Sequence, residues 1–390
     1  MNSPSSPPSS PSSDAFPVVG ILGGGQLGKM MAAAAQQMGV QTRMLSPKDA
    51  GPMHFFSGAR SGDWTDPEVL HDFALGCSVI TVESEWAPAA EMAEAAPEGV
   101  VVRPGPDVLT LIKDKGVQNQ TLAEAGLPLP DFACCSTLAD AVDAASQLGY
   151  PVVLKQYRGS YDGYGNATAH DEAELRNAWP DLSAEDGLLV EAFIPFEREL
   201  AVQVARRPGG EQVTYPVAHT IQKNHRCHAV VVPAELDDGV AQRARTVAAE
   251  AVDAVGGVGL TAVELFLTED EEILVNELAP RPHNTGHYSI EGAHTSQFEN
   301  HIRAILDWPL GDPGLRTPVA VMVNVLGQRD GQPPRTTGIP DALDIPAVHV
   351  HIYGKPDVRP HRKMGHVTAT GTHGKDTLSR AEEAASFIKL

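Results

Sequence analysis

The sequence predicts a chain of mixed class: a doubly wound α/β domain first, then a larger α+β domain, then a small β-rich C-terminal domain. Three observations carry the prediction. An apolar run over 17–22 meets Gly23-Gly24-Gly25-Gln26-Leu27-Gly28, and a helical pattern over 29–38 and a strand over 40–45 follow, the opening of a parallel βαβ sheet. From about 114 onward strands and helices cease to alternate, which points to α+β material. Near 261–278 two apolar runs flank five polar residues, the pattern of an antiparallel hairpin. The boundaries fall between a Ser/Pro tail over 1–15 and domains over 16–113, 114–315 and 316–390.

Residues 1–15 (MNSPSSPPSSPSSDA) hold too little apolar surface to form a core and are expected to be disordered. Gly39 stops the first helix, and a further strand fits 79–82. The middle region predicts a helix over 117–125, then a strand over 151–155 that runs into a glycine-rich loop. Strands over 188–194, 199–206 and 213–221 follow, then a helix over 240–255 and the hairpin. Phe298, Ile302 and Ile305 have the spacing of one buried helix face. Strands over 320–326 and 348–353 and a helix over 380–388 complete the chain.

The 390 residues carry 29 Lys and Arg against 50 Asp and Glu, a formal net charge of −21. That balance opposes non-specific nucleic-acid binding, which needs a basic footprint, so no nucleic-acid partner is expected. No apolar run approaches the ~20 residues that span a bilayer, and the N-terminus lacks the pattern of a signal peptide. A cytoplasmic protein with no membrane partner is expected. Cys77, Cys134, Cys135 and Cys227 form no CxxC pair and read as small packing residues in a reducing compartment.

Gly23, Gly25 and Gly28 fit the fingerprint of a Rossmann-like dinucleotide site. A nicotinamide cofactor also needs an acid at the end of the second strand to hold the ribose. Leu45-Ser46-Pro47 stands there, and Asp49 lies beyond the proline. NAD is therefore not expected. Two readings stay open: the glycines let helix and strand pack closely, or the loop touches another phosphorylated ligand.

The hairpin is more informative. If it closes symmetrically between Asp270 and Glu271, Glu264 faces Glu277 directly across the ladder. Like charges in that position destabilise a sheet and raise each other's pKa. A Mg²⁺ ion shared with nucleotide phosphates would relieve the repulsion. The alternative is an ordinary solvated sheet face, and a one-residue slip would turn the pair apart. Beyond it, Ala279-Pro280-Arg281-Pro282-His283-Asn284-Thr285-Gly286-His287 is an extended loop set by two prolines. It places Arg281, which suits carboxylate or phosphate, and His283, which exchanges protons near neutrality, just past the acids. His283 and His287 are four apart, but Pro282 rules out the helix a zinc pair would use.

Lys155 ends a buried-type strand, and Gly159, Gly163 and Gly165 follow it. A lysine there can reach nucleotide phosphates, and such a loop can close over them. No GxxxxGK[ST] run is present. Lys155 alone would read as a surface charge; its order with the loop and the acidic hairpin argues otherwise.

Taken together, Lys155, Ser160-Tyr161-Asp162-Gly163-Tyr164-Gly165-Asn166, the stretch 191–194, Glu199, Glu264 and Asn276-Glu277 resemble the ATP-grasp ligases. Within them the chain is similar to the N5-carboxyaminoimidazole ribonucleotide synthase family. The segments that carry this are GGGQLGKM (23–30), TVESE (81–85), YDG (161–163), NELAPRPHNTGHYSIEGAHTSQFENHIRAI (276–305) and YGKPDVRPHRKMGH (353–366). They span nearly all of the chain after residue 16; NELAPRPHNTGH and RKMGH are the most specific. The resemblance implies an N-terminal pre-ATP-grasp domain, an ATP-grasp domain and a small C-terminal domain. It implies that ATP phosphorylates bicarbonate to carboxyphosphate and that 5-aminoimidazole ribonucleotide is then carboxylated, in purine biosynthesis. A cavity with cations, metal and little water suits such an intermediate.

The same resemblance implies the site. Lys115, Lys155, Ser160, Gly163, Gly165, Glu191, Ile194, Glu199, Gln222, Asn276 and Glu277 are expected at ATP, with Glu191 to Ile194 gripping adenine and Glu199 the ribose. Glu264 and Glu277 are expected to hold Mg²⁺ (or Mn²⁺). Gln26, Leu27, Glu83, Asn284, Lys355, Arg362 and Lys363 are expected at the aminoimidazole nucleotide. Tyr161, Asp162, Arg281 and His283 are expected near bicarbonate and the acceptor amine. A homodimer is implied. Fungal and plant relatives continue into a mutase domain, and a chain ending at Leu390 is expected to lack that activity. Three positions depart from the family pattern: Asn119 and Tyr164 stand where a basic residue is usual, and Gln222 where some members have His. Two alternatives are another ATP-grasp ligase such as a formate-dependent transformylase, against which HRKMGH and PRPHNTGH argue, and a nucleotide-binding paralogue whose turnover is impaired through Asn119 and Tyr164.

Overall fold

The computed structural model describes residues 16–48, 51–159, 165–182, 187–223, 226–331 and 335–390. The tail over 1–15 and Ser160, Tyr161, Asp162, Gly163 and Tyr164 therefore lie outside the described residues.

Three sheets organise them. The first has five parallel strands, β1 (Val18–Leu22), β2 (Gln41–Ser46), β3 (Ala59–Ser61), β4 (Val79–Val82) and β5 (Val101–Val102), in the order β3-β2-β1-β4-β5. This is the doubly wound order, whose ligand crevice opens at the carboxyl ends of the strands around β1 and β4. The helix Gln26–Gln37 buries Leu27, Met30, Met31, Ala34 and Ala35, one stripe at helical spacing. It ends where the sequence places the stop, with Gly39 at φ 76°.

The second sheet is antiparallel: β6 (Phe132–Cys135), β7 (Val152–Gln156), β8 (Asn166–Ala169) and β9 (Leu188–Ala192), ordered β6-β9-β7-β8. The expected strand over 188–194 stops at Ala192, so Ile194 falls in the turn that follows, where its carbonyl accepts from Phe196 N.

The third sheet is also antiparallel. Its strands are β10 (Phe196–Arg206), β11 (Gln212–Thr214), β12 (Ala218–Lys223), β13 (Arg226–Val232), β14 (Gly259–Thr268), β15 (Ile273–Ala279), β16 (Val319–Leu326), β17 (Val348–Ile352) and β18 (Lys363–Gly371). They run β15-β14-β10-β12-β13-β16-β18-β17, with β11 beside β10. The run expected as one strand over 213–221 is two, β11 and β12; Pro216 between them has no N–H for a ladder. The C-terminal strands β16–β18 continue this sheet through β13 and β16 rather than forming a sheet of their own. β18 was not anticipated, and the last helix, Gly374–Phe387, begins before the expected 380.

The main core lies under β10, β14 and β15, where the helix Asp238–Val255 packs Val240, Ala244, Ala248, Ala251 and Val252 onto Leu200, Val202, Val263, Leu265 and Val275. The helix Gln297–Ile305 sets Phe298, Ile302 and Ile305 against the first sheet and its first helix. That is the face its spacing predicted.

Candidate active site

The hairpin pairs Glu264 with Glu277 directly across β14 and β15, the pairing expected of symmetric closure. Beyond the acids the symmetry fails. Leu265 pairs with Val275, so Asn276 is an extra residue in a β-bulge. The bulge breaks strict alternation: Ile273, Val275 and Leu278 face the core, while Asn276 and Glu277 are both half-buried. Both can thus turn to the cleft.

Burial raises the Glu264 carboxyl above the ordinary range, and the charges of Glu277 and Glu199 add to it. Burial works against the charge of Glu277 too, but the Lys115 ammonium, bonded to its Oε2, together with Lys155 and His283 outweighs it and holds the group low. Two facing carboxylates, one stripped of easy ionisation, form an oxygen donor set suited to a hard divalent cation.

Lys155, at the end of β7, is buried. Its Nζ lies 2.5 Å from Glu191 Oε2 and donates to Asn276 Oδ1 at 3.2 Å. Glu191 Oε1 accepts from Asn119 Nδ2 at 2.8 Å. Glu199 Oε2 accepts from Gln222 Nε2 at 2.5 Å and lies 3.5 Å from Thr220 Oγ1. Gly165, at φ 73°, accepts from Gln156 N of β7 through its carbonyl.

The glycine loop encloses a carboxylate of the chain itself. Glu83, just after β4, accepts from Gly25 N and Gly28 N, each at 2.7 Å. A Cβ on Gly23 would lie 2.0 Å from Glu83 Cγ, and one on Gly25 2.7 Å from Glu83 Oε1. The glycines are there to admit this side chain to the helix N-terminus. Gln26 is half-buried, and Leu27 turns into the core.

Burial, then Arg362 and Lys363, lowers Lys355 to about 8, while Glu83 and Asp357 pull the other way. Its Nζ donates to Lys363 O at 2.7 Å. Arg362 is bonded to Asp357. Lys363 opens β18 and is near enough to Glu264 to lower its pKa. The basic segment of the C-terminal region therefore lies within electrostatic reach of the hairpin acids, through Lys363 and Glu264, and of Glu83, through Lys355.

Arg281 reaches back across that cleft to Glu85, Nε to Oε2 at 2.6 Å and Nη2 to Oε1 at 3.2 Å. His283 Nδ1 is 3.0 Å from Thr285 Oγ1 and 3.7 Å from Glu264 Oε1. Asn284 and Asn324 exchange amide hydrogen bonds at 2.9 and 2.8 Å. Gln297 holds the loop from below, accepting from His283 N and donating to His283 O. Glu85, Gln297 and Asn324 escaped the sequence reading. Only Glu85 had a visible signal, two residues from Glu83 at the same strand end.

A parallel crevice joined to two antiparallel lobes, with an acid pair and a buried lysine between them, defines an enzyme of the ATP-grasp class. A model of the ATP-grasp domain matches residues 120–298, one of the ribonucleotide synthetase preATP-grasp domain residues 17–113, and one of the phosphoribosylaminoimidazole carboxylase C-terminal domain residues 320–380. The N5-carboxyaminoimidazole ribonucleotide synthase of Synechococcus elongatus is 38% identical over 376 residues, covering 95% of this chain and 93% of that one. The phosphoribosylaminoimidazole carboxylase of Schizosaccharomyces pombe is 41% identical over 360 residues, 90% of this chain but 64% of the longer relative. The crystal structure of N5-carboxyaminoimidazole ribonucleotide synthetase from Thermotoga maritima superposes with a TM-score of 0.85 at 37% identity, covering 96% of this chain and 99% of that one. The Aspergillus clavatus synthase in complex with ADP and 5-aminoimidazole ribonucleotide gives 0.85 at 32% identity, covering 95% and 98%. The chain belongs to the N5-carboxyaminoimidazole ribonucleotide synthase family of ATP-grasp ligases.

Proposed function

We propose that the protein uses ATP and bicarbonate to carboxylate the 5-amino group of 5-aminoimidazole ribonucleotide, giving the N5-carboxyamino product, ADP and phosphate in purine biosynthesis. The observation that carries this is the convergence on one cleft of the facing pair Glu264 and Glu277, the buried Lys155 and the basic residues Lys355, Arg362 and Lys363.

Lys155 and Lys115 would steady the ATP phosphates, and Asn276 steadies Lys155. The stretch from Glu191 to Ile194 lies at the turn between the second and third sheets, where adenine would be gripped, with Glu199 and Gln222 beyond it for the ribose. Glu264 and Glu277 would hold Mg²⁺ or Mn²⁺, which when bound neutralises charge on the triphosphate. Lys355, Arg362 and Lys363 suit the phosphate of the aminoimidazole nucleotide, with Gln26, Glu83 and Asn284 around the rest of it; Leu27, expected there, has its side chain in the core. Arg281, oriented by Glu85, and His283 would meet bicarbonate and the acceptor amine. A fixed guanidinium stabilises the developing anion without reorganising at the moment of reaction. The imidazole would take the amine proton. Among the described residues no helix is long and apolar enough to cross a membrane. The homodimer rests on the family resemblance, the cytoplasmic location on composition and cysteine usage.

The test is ADP release together with ¹³C-bicarbonate incorporation. One ADP per ¹³C-carbamate, formed only when ATP, bicarbonate and aminoimidazole ribonucleotide are all present, is expected. ADP release driven by formate, or nucleotide binding with no turnover, would overturn the reading in favour of a transformylase or an inactive paralogue.

A further inference from the structure

The helix Lys115–Glu124 starts at Asp114, whose carboxylate accepts from Gly116 N and Val117 N. Lys115 and Asn119 are four residues apart and share a helix face. They reach different walls of the cleft: Lys115 bonds Glu277 of the third sheet, and Asn119 bonds Glu191 of the second. Between them Gln118 Oε1 accepts from Leu278 N at 2.9 Å. One helix face thus ties both lobes together beside the nucleotide position.

Asn119 is 1% exposed and Glu191 4% exposed. Within this dry setting Glu191 has a neutral donor on Oε1 and the Lys155 ammonium on Oε2. The amide N–H fixes the carboxylate plane by giving Oε1 a donor of its own. Without that amide, Oε1 would be a buried acceptor lacking its donor, a costly state. The carboxylate would then turn, draw the ammonium onto both oxygens and away from Asn276.

We propose that Asn119 is a positioning residue for ATP, acting through Glu191 to keep Lys155 between the two lobes where it can meet phosphate. The departure at 119 is on this account a neutral replacement that works, not a lesion. The proposal rests on the reading of Lys155 as a phosphate contact.

The experiment compares Asn119→Leu, Asn119→Lys and Lys155→Met in the full chain, with thermal melting, the KM for ATP and kcat as readouts. For Asn119→Leu, a five- to tenfold rise in KM is expected with kcat within twofold, because the loss is one of ground-state and transition-state binding alike. Asn119→Lys, which restores an N–H donor, is expected to recover most of the KM. An unchanged KM in folded Asn119→Leu overturns the proposal. A fall in kcat and melting temperature together, unrelieved by Asn119→Lys, assigns Asn119 a packing role and overturns it too. If Lys155→Met leaves the KM for ATP unchanged, the phosphate reading itself fails, and the proposal with it.

Discussion

Glu83 uses both carboxylate oxygens on backbone N–H groups of the glycine loop, and this decides what the three glycines do. The sequence left open whether they packed helix on strand or met a phosphorylated ligand. It could not show that an acid 58 positions further on completes the turn, because a contact so distant leaves no local trace. Burial raises the Glu83 pKa against the two backbone bonds that favour its charge. Gly23 is the least replaceable of the set: its φ is +126° and a Cβ would overlap Glu83. Gly23→Ala is expected to destabilise the protein by more than about 2 kcal/mol, read from denaturant unfolding. A loss under about 0.5 kcal/mol would show that Glu83 is not seated in the loop.

Elements were legible where the signal was local. The stripe of the first helix, its Gly39 stop and the face of Phe298, Ile302 and Ile305 all follow from side-chain spacing. The facing of Glu264 and Glu277 was legible too, but the bulge at Asn276 was not, since a symmetric turn satisfies the same apolar pattern. β18 was hidden because its start, Lys363-Met364-Gly365-His366, reads as a basic turn until β16 and β17 are seen on either side of it. The helix Gln297–Ile305 also joins two sheets through one side chain that the pattern did not mark. His301 Nδ1 accepts from Leu260 N at 3.0 Å, and its Nε2 lies 2.8 Å from Thr81 Oγ1. The accepted bond fixes the tautomer with the proton on Nε2. Burial lowers its pKa to about 3. Since the unfolded group titrates near ~6.5, it stabilises the fold fully above that pH. The contribution falls by up to ~1.4 kcal/mol per pH unit on acidification toward its folded pKa. NMR of the imidazole nitrogens should show His301 neutral from pH 7.5 down to 5; a titration midpoint near 6.5 would contradict its burial between the sheets.

On the scale of the whole molecule, the active cleft is a product of connections that no single segment announces. β13 and β16 join the C-terminal strands to the large sheet, so Lys363 begins a strand of the same sheet that carries Glu264 and Glu277. Arg281 and Glu85 link the third sheet to the first, and Lys115 and Asn119 link the third and second. The residues proposed for one nucleotide, one small anion and one acceptor were readable as motifs. Their meeting point depends on long-range pairing, which local pattern does not encode. The central claim is that the facing glutamates jointly hold a divalent cation with the nucleotide. Manganese EPR measures this directly, as Mn²⁺ bound by the protein in the presence of ADP, for the parent chain and for Glu264→Gln and Glu277→Gln. Loss of at least tenfold in Mn²⁺ affinity in each folded variant, with ADP still bound, is the predicted result; wild-type Mn²⁺ affinity in both would contradict the account.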